Sequence, residues 1–316
     1  VDQEPVDGVL YGVSASFGSG QTLGNGNYTV DRSAGNVTVT NLQPGVTYHF
    51  AAFGYTAPNT FGPAFQRNNP ARASFTTLTS VSAPTTPASN LLFANVEGNR
   101  LNVKWTNGNG ANRIVVARAN TAITFDPADA SSYTANASLG TGTDLGGGQY
   151  VVYNGNGNNT DVTNLLPGTT YYFEVFEFNG SGSTTKYLTT STATGNRATV
   201  SAPTVGASTF SVSNVSATQA TISWTNGTGE GRLVLIRATD AVNATPVNLT
   251  GYTANTVFGS GAQPAAGNYV IYAGTGSSVT VTGLTGGQNY HVAVVEYNGN
   301  NAPVYITNPL RGSFVT

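Results

Sequence analysis

Four charged residues, Arg113, Glu177, Arg232 and Glu296, stand where side-chain chemistry is expected. Each Glu lies in phase with the inward residues of an alternating run, YYFEVFEF or YHVAVVEY, so strand periodicity aims it at a core. An isolated buried carboxylate is costly, so each needs a cation. The Arg opening RIVVAR or RLVLIR is the candidate. If those runs pair antiparallel, the end of one lies beside the start of the other. We expect the structural pairs Arg113–Glu177 and Arg232–Glu296, not catalytic carboxylates; a Glu more than about 6 Å from its Arg would refute them.

Other chemistry finds little to work with. His49 and His291 follow Tyr48 and Tyr290, at the position of Tyr172, which strand alternation turns outward. Neither has a Ser or Asp partner nearby in sequence, which disfavours a nucleophilic triad. FGSGQTLGNG, LGTGTDLGGG and FGSGAQPAAG resemble phosphate loops only in their glycines, lacking the preceding strand, the following helix and Gly-Lys-Ser/Thr. We read them as hairpin turns and expect no cofactor. Asp126 and Asp129 sit close together, without the alternating acidic pattern of a calcium loop. There is no Cys, which excludes disulfides, thiolate metal sites and cysteine nucleophiles. Tyr172 and Phe176, with Tyr153 and Tyr187 nearby, are the aromatic plates a glycan could contact.

Only 8% of residues are charged and the net charge is −2, which leaves no basic footprint for nucleic acid or an anionic membrane. No apolar stretch approaches the roughly 20 residues of a membrane helix, so no membrane insertion is expected. The start VDQEPVDG lacks signal-peptide features. We read the chain as a mature or internal piece of a longer extracellular protein.

The elements that would carry these residues are repeated. Trp105 and Trp224 stand 119 residues apart, and the same offset carries Tyr133 onto Tyr252, Leu165 onto Leu284, Tyr171 onto Tyr290 and Glu177 onto Glu296. Tyr11 and Tyr28 match Tyr133 and Tyr150 at an offset of 122, and Leu42 and Tyr48 match Leu165 and Tyr171 at 123. The first copy therefore lacks about 40 leading residues, the Trp run among them. It also has Gly54 in place of the Glu. Within each copy, short runs rich in Val, Ile, Tyr and Phe alternate with Asn-Gly and Gly-Gly turns, and no helix-length amphipathic stretch occurs. This predicts all-β, antiparallel sandwiches.

Leu165, Pro167 and Tyr171, repeated as Leu42, Pro44 and Tyr48 and as Leu284 and Tyr290, look like a tyrosine corner: the ring packs inward while its hydroxyl returns to nearby backbone. In the last copy Gly286 replaces the Pro, which should loosen that turn. Together with W-T-N-G-x-G, R-x-V-x-x-R and Y-T-A-N, the corner resembles fibronectin type III domains, and most closely the tandem bacterial variety of large secreted and surface proteins of Bacteroidota. The likeness covers 82–316 and the latter part of a unit in 1–80. It implies spacing, adhesion or display, often beside type IX secretion. The span between the RIVVAR strand and the corner is longer than the usual fibronectin link, and the stretch from Tyr133 to Tyr153 is expected to add a hairpin.

The expected domains are a partial one at 1–80 and complete ones at 81–199 and 200–316. The expected role is a non-enzymatic spacer, stalk or adhesion module at a bacterial surface. The alternatives are an accessory carbohydrate-binding module, with cell-surface or matrix glycans as partners, and a filament subunit. The partial copy should be completed by upstream strands of its own chain or by a strand-donating partner.

Overall fold

The computed structural model describes residues 3–33, 35–56 and 61–316. The chain divides into two compact units, Val1–Ser82 and Ala83–Thr316. The first holds two short antiparallel pairs, β1 (Thr22–Gly24) with β2 (Asn27–Tyr28), and β3 (Thr47–Ala52) with β4 (Ala71–Thr76).

The second unit holds two sandwiches of one design. In the leading one, β5 (Ser89–Ala94), β6 (Leu101–Thr106) and β9 (Asn159–Val162) form one sheet in the order β5-β6-β9. The facing sheet runs β8 (Gln149–Gly155), β7 (Asn112–Ala119), β10 (Thr170–Asn179), with β11 (Lys186–Tyr187) and β12 (Ala193–Ala198) sharing the far edge of β10. The trailing sandwich repeats this with β13 (Ser208–Ser213), β14 (Gln219–Thr225) and β17 (Ser278–Thr282) against β15 (Gly231–Ala238), β16 (Tyr269–Gly274), β18 (Asn289–Asn298), β19 (Val304–Tyr305) and β20 (Leu310–Val315). All strand pairs in both are antiparallel. The architecture is a tandem of fibronectin type III-like sandwiches whose first copy is incomplete.

Alternation along β10 builds the core. Tyr171, Phe173 and Val175 meet Leu101, Val103 and Trp105 of the other sheet, with Val115 and Ala117 of β7 beside them. Burying such side chains contributes about 1.5–3 kcal/mol each, which is what makes these short strands stable together. Trp224, Tyr290, Val292 and Val294 occupy the same places in the trailing core.

Both faces of the larger sheet are buried. Ile114, Val116, Phe176 and Phe178 form a second apolar cluster under Ile123, Phe125, Tyr133 and Leu145 of the connection between β7 and β8. The added hairpin expected from Tyr133 to Tyr153 is present in short form: Asp144 bridges Tyr150 in antiparallel sense, with Val151 N donating to Thr143 O at 3.2 Å and Leu145 N to Gln149 O at 2.9 Å. Before that hairpin the connection is irregular, held to β8 by bonds such as Asn136 N to Val151 O (3.1 Å), and the second arm of the hairpin is the start of the edge strand β8 itself. Its apolar residues Ile123, Phe125, Tyr133 and Leu145 turn onto the outer face of the larger sheet and cover it.

The first unit has no comparable core among its described residues. Tyr11 is the only Val, Leu, Ile, Phe, Tyr or Trp buried among its described residues, while Val6, Leu10, Phe61, Phe75 and Leu78 are exposed. The tetrapeptide Val-Thr-Val-Thr occurs at 37–40 and again at 279–282. The second occurrence lies in β17, paired with β14. The first forms no strand beyond an isolated bridge from Thr40 to Ser16. Identical residues become a strand only where a neighbour accepts their backbone bonds.

Candidate functional site

The acidic and basic residues singled out from the sequence meet as two buried clamps. Cross-strand register places Glu177 opposite Arg113 and Glu296 opposite Arg232. Arg113 Nε donates to Glu177 Oε1 at 3.1 Å and its Nη2 to Oε2 at 3.2 Å; Arg232 Nε donates to Glu296 Oε1 at 2.9 Å. All four residues are buried. The remaining valences go to backbone: Gly108 N and Gly110 N donate to Glu177 at 2.9 and 3.1 Å, and Gly227 N and Gly229 N to Glu296 at 2.8 and 3.0 Å. Arg113 Nη1 and Nη2 donate to Gly157 O at 2.8 Å and Gly110 O at 3.0 Å.

This arrangement explains the Trp-Thr-Asn-Gly-x-Gly spelling. A Cβ on Gly108 would lie 2.1 Å from Thr86 O, and one on Gly110 would lie 2.6 Å from Glu177 Oε2. The glycines let the turn close on the carboxylate. Each clamp therefore ties a turn between the two sheets to the end of the central strand pair. With every oxygen and most guanidinium protons engaged internally, neither carboxylate is presented to a substrate.

The tyrosine corners have the geometry of their name. Leu166 N donates to the Tyr171 hydroxyl at 2.8 Å, Gln43 N to that of Tyr48 at 2.8 Å and Thr285 N to that of Tyr290 at 2.9 Å. Pro44 and Pro167 precede Gly45 and Gly168, whose φ values of 70° and 64° suit glycine; where Gly286 replaces the Pro, Gly287 keeps φ at 74°. Leu165 and Leu284 are buried beneath the corner, and Leu42 is half-buried.

A second corner escaped the sequence reading. Val6 N, Ala128 N and Val247 N donate to the hydroxyls of Tyr11, Tyr133 and Tyr252 at 2.9, 3.1 and 3.0 Å. One residue after each donor, Asp7, Asp129 or Asn248 accepts a backbone N–H from Phe65, Tyr187 or Tyr305 at 2.7, 2.9 and 2.9 Å. The signal is Pro-x-Asp/Asn-x-x-x-Tyr, present in all three copies. It clasps the draped connection to the sheet. Asp129, weighed above as a calcium ligand, is thus engaged: Lys186 Nζ lies 2.8 Å away, and that bond with the Tyr187 N–H holds its carboxyl below the usual range. Among the described residues no cluster of His, Asp and Glu is placed to hold a metal.

The proposed glycan plates do not survive as a pair. Phe176 is fully buried in the outer cluster, edge-on to Phe125 with ring centres 6.5 Å apart, so it cannot contact a glycan. Alternation correctly turns it away from the main core, but the draped connection lies over that side. Tyr172 is half-buried, His49 is exposed, and His291 Nε2 lies 3.1 Å from Asn289 Nδ2. Trp105 and Trp224 are buried, each edge-on to a Tyr, Tyr153 at 5.2 Å and Tyr272 at 5.6 Å.

No family model matches the chain, and no curated protein does. Among solved structures it is similar to a two-domain fibronectin type III segment of chicken tenascin, at 14% identity over 74% of this chain and 100% of that one, TM-score 0.27. It is also similar to the FN1-FN3 domains of chicken CNTN1, at 18% identity over 88% of this chain and 78% of that one, TM-score 0.35. Overlaps this loose align no site residues; the fibronectin type III-like fold stands on the strand order and register described above.

Proposed function

We propose that the chain is a non-enzymatic spacer or stalk segment, with adhesion as its wider context, in a secreted or cell-surface bacterial protein. The observation that carries this reading is the docking of the two complete sandwiches. The turn between β5 and β6 of one meets the loop between β18 and β19 of the other: Asn301 Nδ2 donates to Glu97 Oε1 at 3.0 Å, and Ala302 and Val304 are buried. A Cβ on Gly98 would lie 2.7 Å from Leu249 and 2.9 Å from Val304. The linker itself is bonded down, Val200 N to Glu97 O at 3.2 Å and Asn298 Nδ2 to Ser201 O at 3.0 Å. A junction bonded in this way favours a stiff rod over a loose string.

Spin labels on the exposed faces of β6 and β14 test the rod. A single narrow distance distribution is expected, and a broad one would defeat the stalk reading. The carbohydrate-binding alternative is tested on a glycan array. No binding is expected; binding abolished by Tyr172→Ala would replace the spacer with a glycan-binding module. The filament alternative draws on one observation, that β3 has only β4 as a sheet partner among the described residues. Sedimentation of the 316-residue chain over a hundredfold concentration range would reveal assembly if it occurs.

A further inference from the structure

We propose that Leu249 is a docking anchor held in a strained backbone conformation, and that with Ala302, Val304 and Asn301 it forms a socket for one kind of neighbour. That neighbour is a preceding sandwich whose first turn carries Gly directly after Glu. The inference rests on the rod reading and adds to it a rule for which sandwich can stack on which.

The signal is a backbone outlier. Gly8, Ala130 and Leu249 occupy one position of the repeat, directly after Asp7, Asp129 and Asn248. All three turn with positive φ, at 84°, 60° and 68°. The same bond holds the turn each time: Gly8 N donates to Pro63 O at 2.8 Å, Ala130 N to Thr185 O at 2.9 Å and Leu249 N to Pro303 O at 2.7 Å. Glycine enters this left-handed conformation freely, whereas a bulky side chain is strained there. Leu is the least suited of the three to its own turn, and strain that persists calls for a gain elsewhere.

The gain lies across the junction. A Cβ on Gly98 of the leading sandwich would lie 2.7 Å from Leu249 Cδ2 and 2.9 Å from Val304 Cγ2, so both side chains press on the turn between β5 and β6. Neighbouring positions change in step with Leu249. Beside Ala130, Asp129 and Lys186 form an ion pair whose side chains are 49% and 44% exposed. Their counterparts beside Leu249 are Asn248 and Val304, and Val304 is 3% exposed. Asn248 still accepts the clasp N–H of Tyr305 at 2.9 Å, so the local fold keeps its bond and only the charges are gone. An ion pair at this place would have to be desolvated under the docked turn.

The chemistry of the partner follows. Leu249 and Val304 leave room for a residue without Cβ, and Asn301 Nδ2 donates to Glu97 Oε1 at 3.0 Å. The trailing sandwich's own turn reads Val215-Ser216-Ala217 where the leading one reads Val96-Glu97-Gly98. Ala217 carries the methyl group that the socket excludes, and Ser216 has no carboxylate for the amide. The leading sandwich in turn has Ala130, the exposed ion pair and the loop Ser181-Gly182-Ser183, with no amide to meet a Glu. Socket and turn therefore fit in one order only.

The test uses the 316-residue chain with spin labels on the exposed faces of β6 and β14. Leu249→Gly should lose the single narrow distance peak. Urea unfolding is followed through Trp224 in a Trp105→Phe background carrying Gly98→Ala, which removes docking. There Leu249→Gly should leave the unfolding constant of the trailing sandwich unchanged or lower it by up to about tenfold, because the strained turn is relieved. Two double variants test selection: Glu97→Ser/Gly98→Ala gives the leading turn the trailing residues, and Asn248→Asp/Val304→Lys restores the ion pair. Each should lose the narrow peak while the Trp224 melt is preserved. A narrow peak kept by Leu249→Gly overturns the anchor, and one kept by either double variant overturns the order rule. An unfolding constant raised more than about fivefold by Leu249→Gly in the undocked background means that Leu249 serves its own sandwich, and also overturns the anchor. A broad distribution in the parent chain overturns the rod and the socket together, whereas the other failures strike the socket alone.

Discussion

Replacing Glu177 by Gln tests the buried clamp most sharply. The amide keeps one acceptor oxygen but puts an NH₂ group against donors, and it leaves the Arg113 guanidinium, 2% exposed, without a counter-charge. Breaking a buried pair by removing one partner costs about 3–5 kcal/mol, against about 0–1 for an exposed pair. Against a typical domain stability of about 5–15 kcal/mol, that is enough to bring this sandwich near its threshold. With a urea dependence of about 1.5 kcal/mol per molar, the midpoint should fall by roughly 2–3 M. Trp105 reports on this sandwich alone in a Trp224→Phe background, because each complete sandwich holds one Trp. The double variant Arg113→Met/Glu177→Leu should recover most of the loss, since matched apolar replacement removes both desolvation penalties. A loss below about 1 kcal/mol for Glu177→Gln would mean that the pair behaves as if it were solvated, and the clamp argument would fail.

Tyr171→Phe strands the Leu166 N–H and should cost about 1–2 kcal/mol by the same assay, whereas Tyr48→Phe in the open unit should cost under about 0.5. Gly98→Ala forces a methyl group against Leu249 and Val304, so it should broaden the distance distribution between the two sandwiches while leaving the melting of each nearly unchanged. Burial pushes the Tyr187 hydroxyl up to about 12, while an unfolded Tyr ionises near 10. The unfolded state therefore loses its proton first: stability contributed by this group is intact below pH 10 and falls between pH 10 and 12. Tyr187→Phe should flatten that alkaline decline in a pH series of urea melts.

Much of the site was legible because two periodicities coincide. Period-two alternation aims Glu177 and Glu296 inward, and antiparallel adjacency brings the start of RIVVAR or RLVLIR to them, so the partner Arg could be named. Alternation also places Phe176 off the main core, yet it says nothing of what lies on the far side. The draped connection that buries Phe176 brings Ile123, Phe125, Tyr133 and Leu145 to it from short segments separated by turns, so its covering role was invisible in any one short window. Asp129 was misread for a related reason. A carboxylate beside another suggests a cation, but the triple recurrence of Pro-x-Asp/Asn-x-x-x-Tyr, with Asn248 uncharged, marks a backbone clasp. The Val-Thr-Val-Thr pair adds a further limit. Propensity alone cannot distinguish 37–40 from 279–282, because the difference is the presence of a neighbour.

β3, β10 and β18 are the same strand of the repeat in three settings, and residue-resolved amide exchange of the 316-residue chain as a dilute monomer compares them directly. β10 and β18, paired on both edges, should exchange only by unfolding of their sandwiches. In β3 the alternate amides that do not face β4 should exchange at least about a hundredfold faster than their β10 counterparts. Equal protection of all three strands would contradict the account of β3 as a strand paired along one edge only.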